Sequence, residues 1–275
     1  MAELHIPRTL PEGGTIIPQV RNAVAVASSK GGVGKSTVCL NTALSMARMG
    51  ARVGLLDADI YGPSLHLMTG VEQQPEITSD NRLIPVEAHG LSMMSMGFLA
   101  DENTPVVWRG PLLAQAVQQF LAQVEWGELD FLFLDLPPGT GDIPLTLSQA
   151  IALSGVVIVT TPQEVALEDV ERGIAMFEKV EVDVLGLVEN MSYYLCPHCS
   201  ERHEIFGHGG GRAFAERLGI EYLGELPMDS SIRRGGDEGT PIVVAAPQSS
   251  HAQAFAQLAK RILEITAELA QPGPG

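Results

Sequence analysis

Short apolar runs alternate with helix-length amphipathic segments along this chain, starting near Val24 and continuing almost to its end. The runs at 24–27, 53–56, 131–134, 156–160, 184–188 and, more weakly, 222–226 predict strands. Two of them, Phe131-Leu132-Phe133-Leu134 and Val156-Val157-Ile158-Val159, are apolar at every position. That is the pattern of strands covered on both faces. Helical spacing predicts helices at 38–49, 112–123, 165–179, 211–218 and 251–269. The last carries Phe255, Leu258, Ile262, Ile265 and Leu269 along one face. Such alternation predicts an α/β fold, a mostly parallel twisted sheet with helices on both faces in three layers. No repeat or linker interrupts the rhythm, so residues 21–270 are expected to form a single domain. A flexible leader (1–20) and a frayed tail (271–275) are expected to flank it.

The first strand runs into Ser29-Lys30-Gly31-Gly32-Val33-Gly34-Lys35-Ser36-Thr37, and a helix follows. Strand, glycine-rich loop and helix start together make a phosphate cradle. The glycines let backbone N–H groups turn inward, and the helix N-terminus adds a positive partial charge. In this arrangement Lys35 reaches the β- and γ-phosphates and Ser36 offers its hydroxyl to Mg²⁺. Ser29 stands where the general motif has its first glycine, and Lys30 follows it. This early lysine resembles the deviant P-loop of the MinD, ParA and nitrogenase-iron-protein group, in which it reaches across a dimer interface to the partner's nucleotide.

Two acidic elements complete a hydrolytic set. Asp57 and Asp59 lie just past the second strand, at the carboxyl end where open α/β sheets bind ligands. One is suited to orienting the attacking water and the other to supporting the metal shell. Asp135 closes the apolar run at 131–134 and is placed to hold Mg²⁺ directly or through water. Gly139 and Gly141 follow it in a loop suited to sensing the γ-phosphate. The Asn-Lys-x-Asp signature of guanine-specific P-loop proteins is absent, and Asn190 after a late strand is suited to an adenine edge.

Composition narrows the reading. A formal net charge of −16 argues against a nucleic-acid partner. No apolar run is long enough to cross a bilayer and no signal-peptide layout opens the chain, so a cytoplasmic location is expected. Only Lys260 and Arg261 lie on the last helix, too few for a surface-binding polybasic segment. The chain has 3 cysteines, which make no disulfide framework. Cys39, early in the P-loop helix, reads as a small buried apolar residue. Cys196 and Cys199, in Tyr194-Leu195-Cys196-Pro197-His198-Cys199, have C-x-x-C spacing. Three uses compete: a redox dithiol, a zinc site completed by His203 and His208, and half of a site shared across a dimer axis. A [4Fe–4S] cluster commonly takes four thiolates, and two copies of this pair supply four. Zinc fits there equally well.

Together these pieces resemble the Mrp/ApbC family of iron–sulfur cluster carrier ATPases, within the MinD-like P-loop group. The resemblance runs from about Pro18 to Gln248. It rests on the P-loop, residues 57–64, Trp108-Arg109-Gly110-Pro111, residues 135–142, Asn190-Met191-Ser192-Tyr193, the cysteine pair and Leu226-Pro227-Met228-Asp229. It implies that Cys196 and Cys199 bind a [4Fe–4S] cluster bridging a homodimer and pass it to apo-proteins. It also implies that Gly31, Gly32, Val33, Gly34, Lys35, Ser36 and Thr37 hold ATP·Mg²⁺, with Asn190 and Pro227 assigned to the nucleotide. Asp59 would position the water, Ser36, Asp57 and Asp135 would serve Mg²⁺, and Lys30 would touch the partner's phosphates. The expected reaction is slow hydrolysis of ATP coupled to cluster transfer. The alternatives are a MinD- or ParA-like positioning ATPase and an ATPase with a structural zinc.

Overall fold

The computed structural model describes residues 6–10, 16–60, 62–98, 110–139, 148, 151–207 and 209–271. Its strands, in chain order, are β1 (Val20–Ala27), β2 (Val53–Asp57), β3 (Glu76–Ile77), β4 (Leu83–Ile84), β5 (Val86–Ala88), β6 (Leu91–Ser95), β7 (Leu129–Asp135), β8 (Gly155–Thr160), β9 (Val184–Leu195), β10 (Arg202–His203) and β11 (Tyr222–Pro227). Among the described residues one large sheet has the order β10-β9-β8-β1-β7-β2-β6-β5, with β11 also paired to β9. The pairings among β11, β9, β8, β1, β7, β2 and β6 are parallel, whereas β5 and β10 run antiparallel to their neighbours. The predicted three-layer α/β architecture is the one observed.

The layers follow from side-chain alternation along the strands. In β1, Ala23 and Ala25 face one side with Leu132, Leu134, Val156 and Ile158. The helices Gly110–Gln123, Glu164–Lys179 and Gly210–Leu218 cover that side through Val117, Phe120, Val170, Phe177 and Phe214. Val24 and Val26 face the other side with Leu55, Phe131, Phe133, Val157 and Val159. There the helices Lys35–Arg48 and Ser250–Leu269 pack through Val38, Leu40, Leu44, Phe255, Leu258 and Ile262. The stripe predicted on the last helix is thus a core face, although Leu269 at its end is 46% exposed.

All six predicted strands and five predicted helices are present, with ends displaced by a few residues. β9 is the main exception, because it continues seven residues past its predicted end, to Leu195. β6 was not foreseen. Its sequence, Leu91-Ser92-Met93-Met94-Ser95, has no β-branched residue to signal a strand, and burial between β2 and β5 decides its state. The short helices Leu65–Met68, Ser230–Asp237 and Ile242–Ala245 also escaped sequence reading.

The leader departs from expectation wherever it is described. Ile6, Leu10 and Ile17 are buried. Thr9 N–H donates to Asn22 Oδ1 at 3.2 Å, and Asn22 Nδ2 donates to the carbonyls of Pro7 at 2.9 Å and Asp130 at 3.0 Å. Asn22, fully buried at a strand position, therefore ties the leader to β1 and β7. The Asn22→Ala variant is expected to lose about 1–3 kcal/mol, because it strands buried backbone groups. Urea unfolding measures this, and an unchanged midpoint would show that the leader contributes nothing to stability.

Candidate functional site

The P-loop leaves the carboxyl end of β1 and enters the helix Lys35–Arg48. Gly32 and Gly34 both have φ of +81°, which L side chains adopt only under strain. Close approach adds a second requirement at Gly34, where a Cβ would collide with the Asn190 amide. Asn190 Nδ2 donates to the Val33 carbonyl at 2.8 Å, so this buried residue holds the loop in place. A cavity of about 240 Å³ is lined by Ser28, Lys30, Gly31, Gly32, Gly34, Lys35, Ser36 and Thr37, together with Asp59, Ser64, Met68 and Pro138. The structure thus gathers the P-loop and Asp59 around one space. Asn190 lies against the loop from behind. Pro227 is buried opposite Tyr193 on β9, outside that lining.

Lys35 and Asp135 form a buried pair, with Nζ 2.6 Å from Oδ1. Ser36 Oγ donates to the other oxygen at 2.6 Å. Burial raises the Asp135 carboxyl above its ordinary value, against the lowering pull of Lys35 and Ser36. Asp57 lies directly across from Asp135 on the neighbouring parallel strand. Its oxygens accept the N–H groups of Ser64 at 2.9 Å, Leu65 at 3.0 Å and Asp59 at 3.2 Å, and the Ser95 hydroxyl at 3.2 Å. It therefore braces the segment that carries Asp59 and caps the helix Leu65–Met68. Burial, and then the charge of Asp135, push the Asp57 carboxyl up to about 7.

Lys30 Nζ lies 2.8 Å from Asp169 Oδ2 of the same chain, and Arg172 binds the other Asp169 oxygen at 2.6 Å. Lys30 lowers the Asp169 carboxyl below its usual range through the hydrogen bond it donates. Within one chain, then, the early lysine is held on the helix Glu164–Lys179.

β9 continues past Asn190 and Met191 to the cysteines. Arg202 and His203 of β10 pair antiparallel with Leu195 and Tyr194, so residues 196–201 form the loop of a β-hairpin. Cys196 N–H donates to the Glu201 carbonyl at 2.9 Å, and Ser200 N–H donates to the Cys196 carbonyl at 2.8 Å. Cys196 is half-buried and Cys199 exposed, both as free thiols. Backbone N–H groups of Cys199 and His198, and then the Cys199 thiol, hold the Cys196 thiol below its ordinary value. Such N–H donors favour the thiolate that binds soft metals. Cys39 is fully buried, and burial raises its thiol well above the ordinary value, which fits the apolar role expected of it.

Among the described residues no three His, Cys, Asp or Glu side chains are gathered as a metal site. The His203 ring is tilted 37° to that of Tyr194, with centroids 6.5 Å apart, and its Nε2 lies 4.0 Å from Glu201. His208, Trp108, Arg109 and residues 140–142 lie outside the described residues. Sequence reading missed Asp169, Ser95 and the Arg202–Glu225 pair. Register alone could have found Ser95, which faces Asp57 across the β2–β6 pairing, had β6 been recognised.

Comparison with known proteins extends this picture. A family model described as ParA, NUBPL iron-transfer P-loop NTPase, matches residues 19–263. A Pseudomonas fragi protein named iron–sulfur cluster carrier protein is 50% identical over 245 residues, covering 88% of this chain and 85% of its own. An Arabidopsis thaliana protein, named iron–sulfur protein required for NADH dehydrogenase, mitochondrial, is 49% identical, covering 91% of this chain and 80% of its own. The solved nucleotide-binding protein of Archaeoglobus fulgidus, in complex with ADP and with cobalt found, superposes with a TM-score of 0.72 at 42% identity. That match covers 81% of this chain and 88% of the other. Pyrococcus furiosus MinD shares the fold, with a TM-score of 0.67 at 22% identity, covering 88% of this chain and 98% of its own.

The raised Asp57 carboxyl sets a pH dependence. The folded chain holds this proton more tightly than the unfolded one. Its contribution is therefore fully present below the ordinary value of 3.8 and is lost as pH rises through about 7. The loss is at most about 4 kcal/mol. Asp57→Asn is expected to flatten the fall in unfolding free energy between acidic and neutral pH. Parallel pH profiles of variant and wild type would refute the assignment.

Proposed function

The chain belongs to the ParA/NUBPL family of iron-transfer P-loop NTPases, and from that premise we propose that it is an ATP-hydrolysing carrier of a [4Fe–4S] cluster. One observation carries the reading: a single strand, β9, leads from the residue that holds the P-loop, Asn190, to the thiol pair that begins at Cys196. At about 3.3 Å per residue these lie roughly 20 Å apart along the strand.

The cluster is the cargo, and Cys196 and Cys199 hold it. Two thiolates per chain are half of the usual four, so two copies related by a twofold axis enclose one cluster. Apo-proteins that need a cluster receive it.

ATP occupies the P-loop cavity. Backbone N–H groups of residues 31–37 bind phosphate oxygens, and Lys35 turns from Asp135 toward the β- and γ-phosphates. When bound, Mg²⁺ would neutralise phosphate charge, with Ser36 as ligand and Asp135 supporting it. Asp57 would stand with Asp135 in support of Mg²⁺ while it braces the backbone that carries Asp59. Asp59 orients the water that attacks the γ-phosphate, giving ADP and phosphate. Asn190 keeps a second N–H and its carbonyl for the adenine edge, and Pro227 is assigned to the nucleotide with it. In the homodimer Lys30 exchanges Asp169 for the partner's phosphates. Nucleotide-dependent closure then gates release of the cluster.

Anaerobic reconstitution with iron and sulfide is expected to give a brown dimer with about four irons per pair of chains. Cys196→Ser or Cys199→Ser should abolish the cluster and leave ATP binding intact, whereas Lys35→Ala should do the reverse. Uptake of zinc alone by the wild-type chain would end the carrier reading.

A further inference from the structure

We propose that Arg202 is a positioning residue for the thiol pair, locking the cysteine hairpin to the domain through Glu225. The hairpin projects from the end of β9, tied at its base by the Met228 N–H, which donates to the Tyr193 carbonyl at 2.7 Å. Arg202 adds a side-chain constraint on the opposite strand of the hairpin, next to the loop. Its Nη1 and Nη2 donate to Glu225 Oε1 at 2.7 Å and Oε2 at 2.9 Å, a bidentate fork on the neighbouring strand β11. Its guanidinium also lies over the Tyr193 ring, 4.1 Å from the centroid.

An exposed ion pair is usually worth little, because two long side chains must be ordered in water. This pair differs in three ways. The fork fixes both planes, and the aromatic face restricts the guanidinium. Glu225 is itself held, since its Oε2 lies 3.2 Å from the Ser192 hydroxyl, whose one proton it shares with Glu189. The same hydroxyl contacts Glu189, a fully buried carboxylate that also accepts the N–H of Gly211 at the start of the helix Gly210–Leu218. Arg202 thus connects the loop bearing Cys196 and Cys199 to a polar chain that ends in the core. Lysine has the charge but not the fork, so it cannot replace Arg202 in this geometry.

The test uses the full chain and a probe that needs no cluster. Phenylarsine oxide condenses with two thiols: two As–S bonds form, the As–O bond breaks, the two thiol protons leave with that oxygen as water, and arsenic stays trivalent. Its affinity reports the relative placement of the two sulfurs, whereas iodoacetamide reports each thiol separately. Arg202→Lys and the isosteric Glu225→Gln are each expected to weaken arsenical binding roughly tenfold. Iodoacetamide rates at Cys196 and Cys199 and the unfolding midpoint should stay near wild type. The double variant should be no weaker than Arg202→Lys alone, because that substitution already breaks the contact with Glu225. Affinities within about twofold of wild type, or losses that multiply in the double variant, would overturn the proposal. The inference rests on the thiol pair being a binding site, but its failure is separate from that of the carrier reading. Wild-type protein that takes up no cluster yet shows the arsenical pattern would sink only the carrier.

Discussion

An ammonium and a carboxylate face each other 2.6 Å apart, out of water, at the carboxyl ends of the central strands. Removing one partner of such a pair leaves a bare buried charge at a cost of several kcal/mol, so the first turn of the P-loop helix and the end of β7 are bound to one another. Asp57 joins them because the parallel register sets it directly across from Asp135. Two carboxylates and one ammonium cannot all be charged cheaply in so little solvent. Burial and the charge of Asp135 accordingly push the Asp57 carboxyl upward, which eases the crowding of charge. The remaining donors around Asp57 come from the backbone of the segment carrying Asp59, which gives that segment a defined path. The cavity shape therefore depends on how charge is settled below it.

β9 extends the constraint to the far end of the site. Along a few consecutive residues it caps a helix with Glu189, supports the P-loop with Asn190, feeds the Glu225 contact through Ser192 and stacks Arg202 on Tyr193. Met191, between them, has φ of +55°, in the left-handed region that non-glycine residues rarely enter. A strand that kinks there can send Asn190 under the loop while the residues beyond it continue into the hairpin. Asn190, against the P-loop, and Leu195, next to Cys196, thus belong to one strand.

Much of this was legible before any coordinates. The strands at 131–134 and 156–160 announced themselves because burial on both faces removes every polar position. The P-loop did so because its glycines and lysine have one common physical use. What was not legible required partners distant in sequence. The leader read as loose because its few apolar residues have no period, yet Asn22 and the core ends of two strands receive it. Asp57 read only as a metal residue, and its bracing of the backbone at residues 59, 64 and 65 shows only once the fold brings those N–H groups to it. Asp169 sits in an ordinary acidic helix, and nothing local marks it as the partner of Lys30. Arg202 likewise gains meaning only once β11 is known to lie beside β9.

The charge of the chain bears on what the cysteine hairpin can accept. The formal net charge is −16, and Glu201, Glu204 and Glu225 surround the hairpin, with Arg202 the cation set against them. Backbone N–H groups nonetheless favour a thiolate at Cys196. In the proposed homodimer four thiolates would converge beside these carboxylates, an arrangement that repels itself unless cations lie between the sulfurs. On the proposed reading, a cationic cargo would offset that repulsion and so help to hold the two hairpins together.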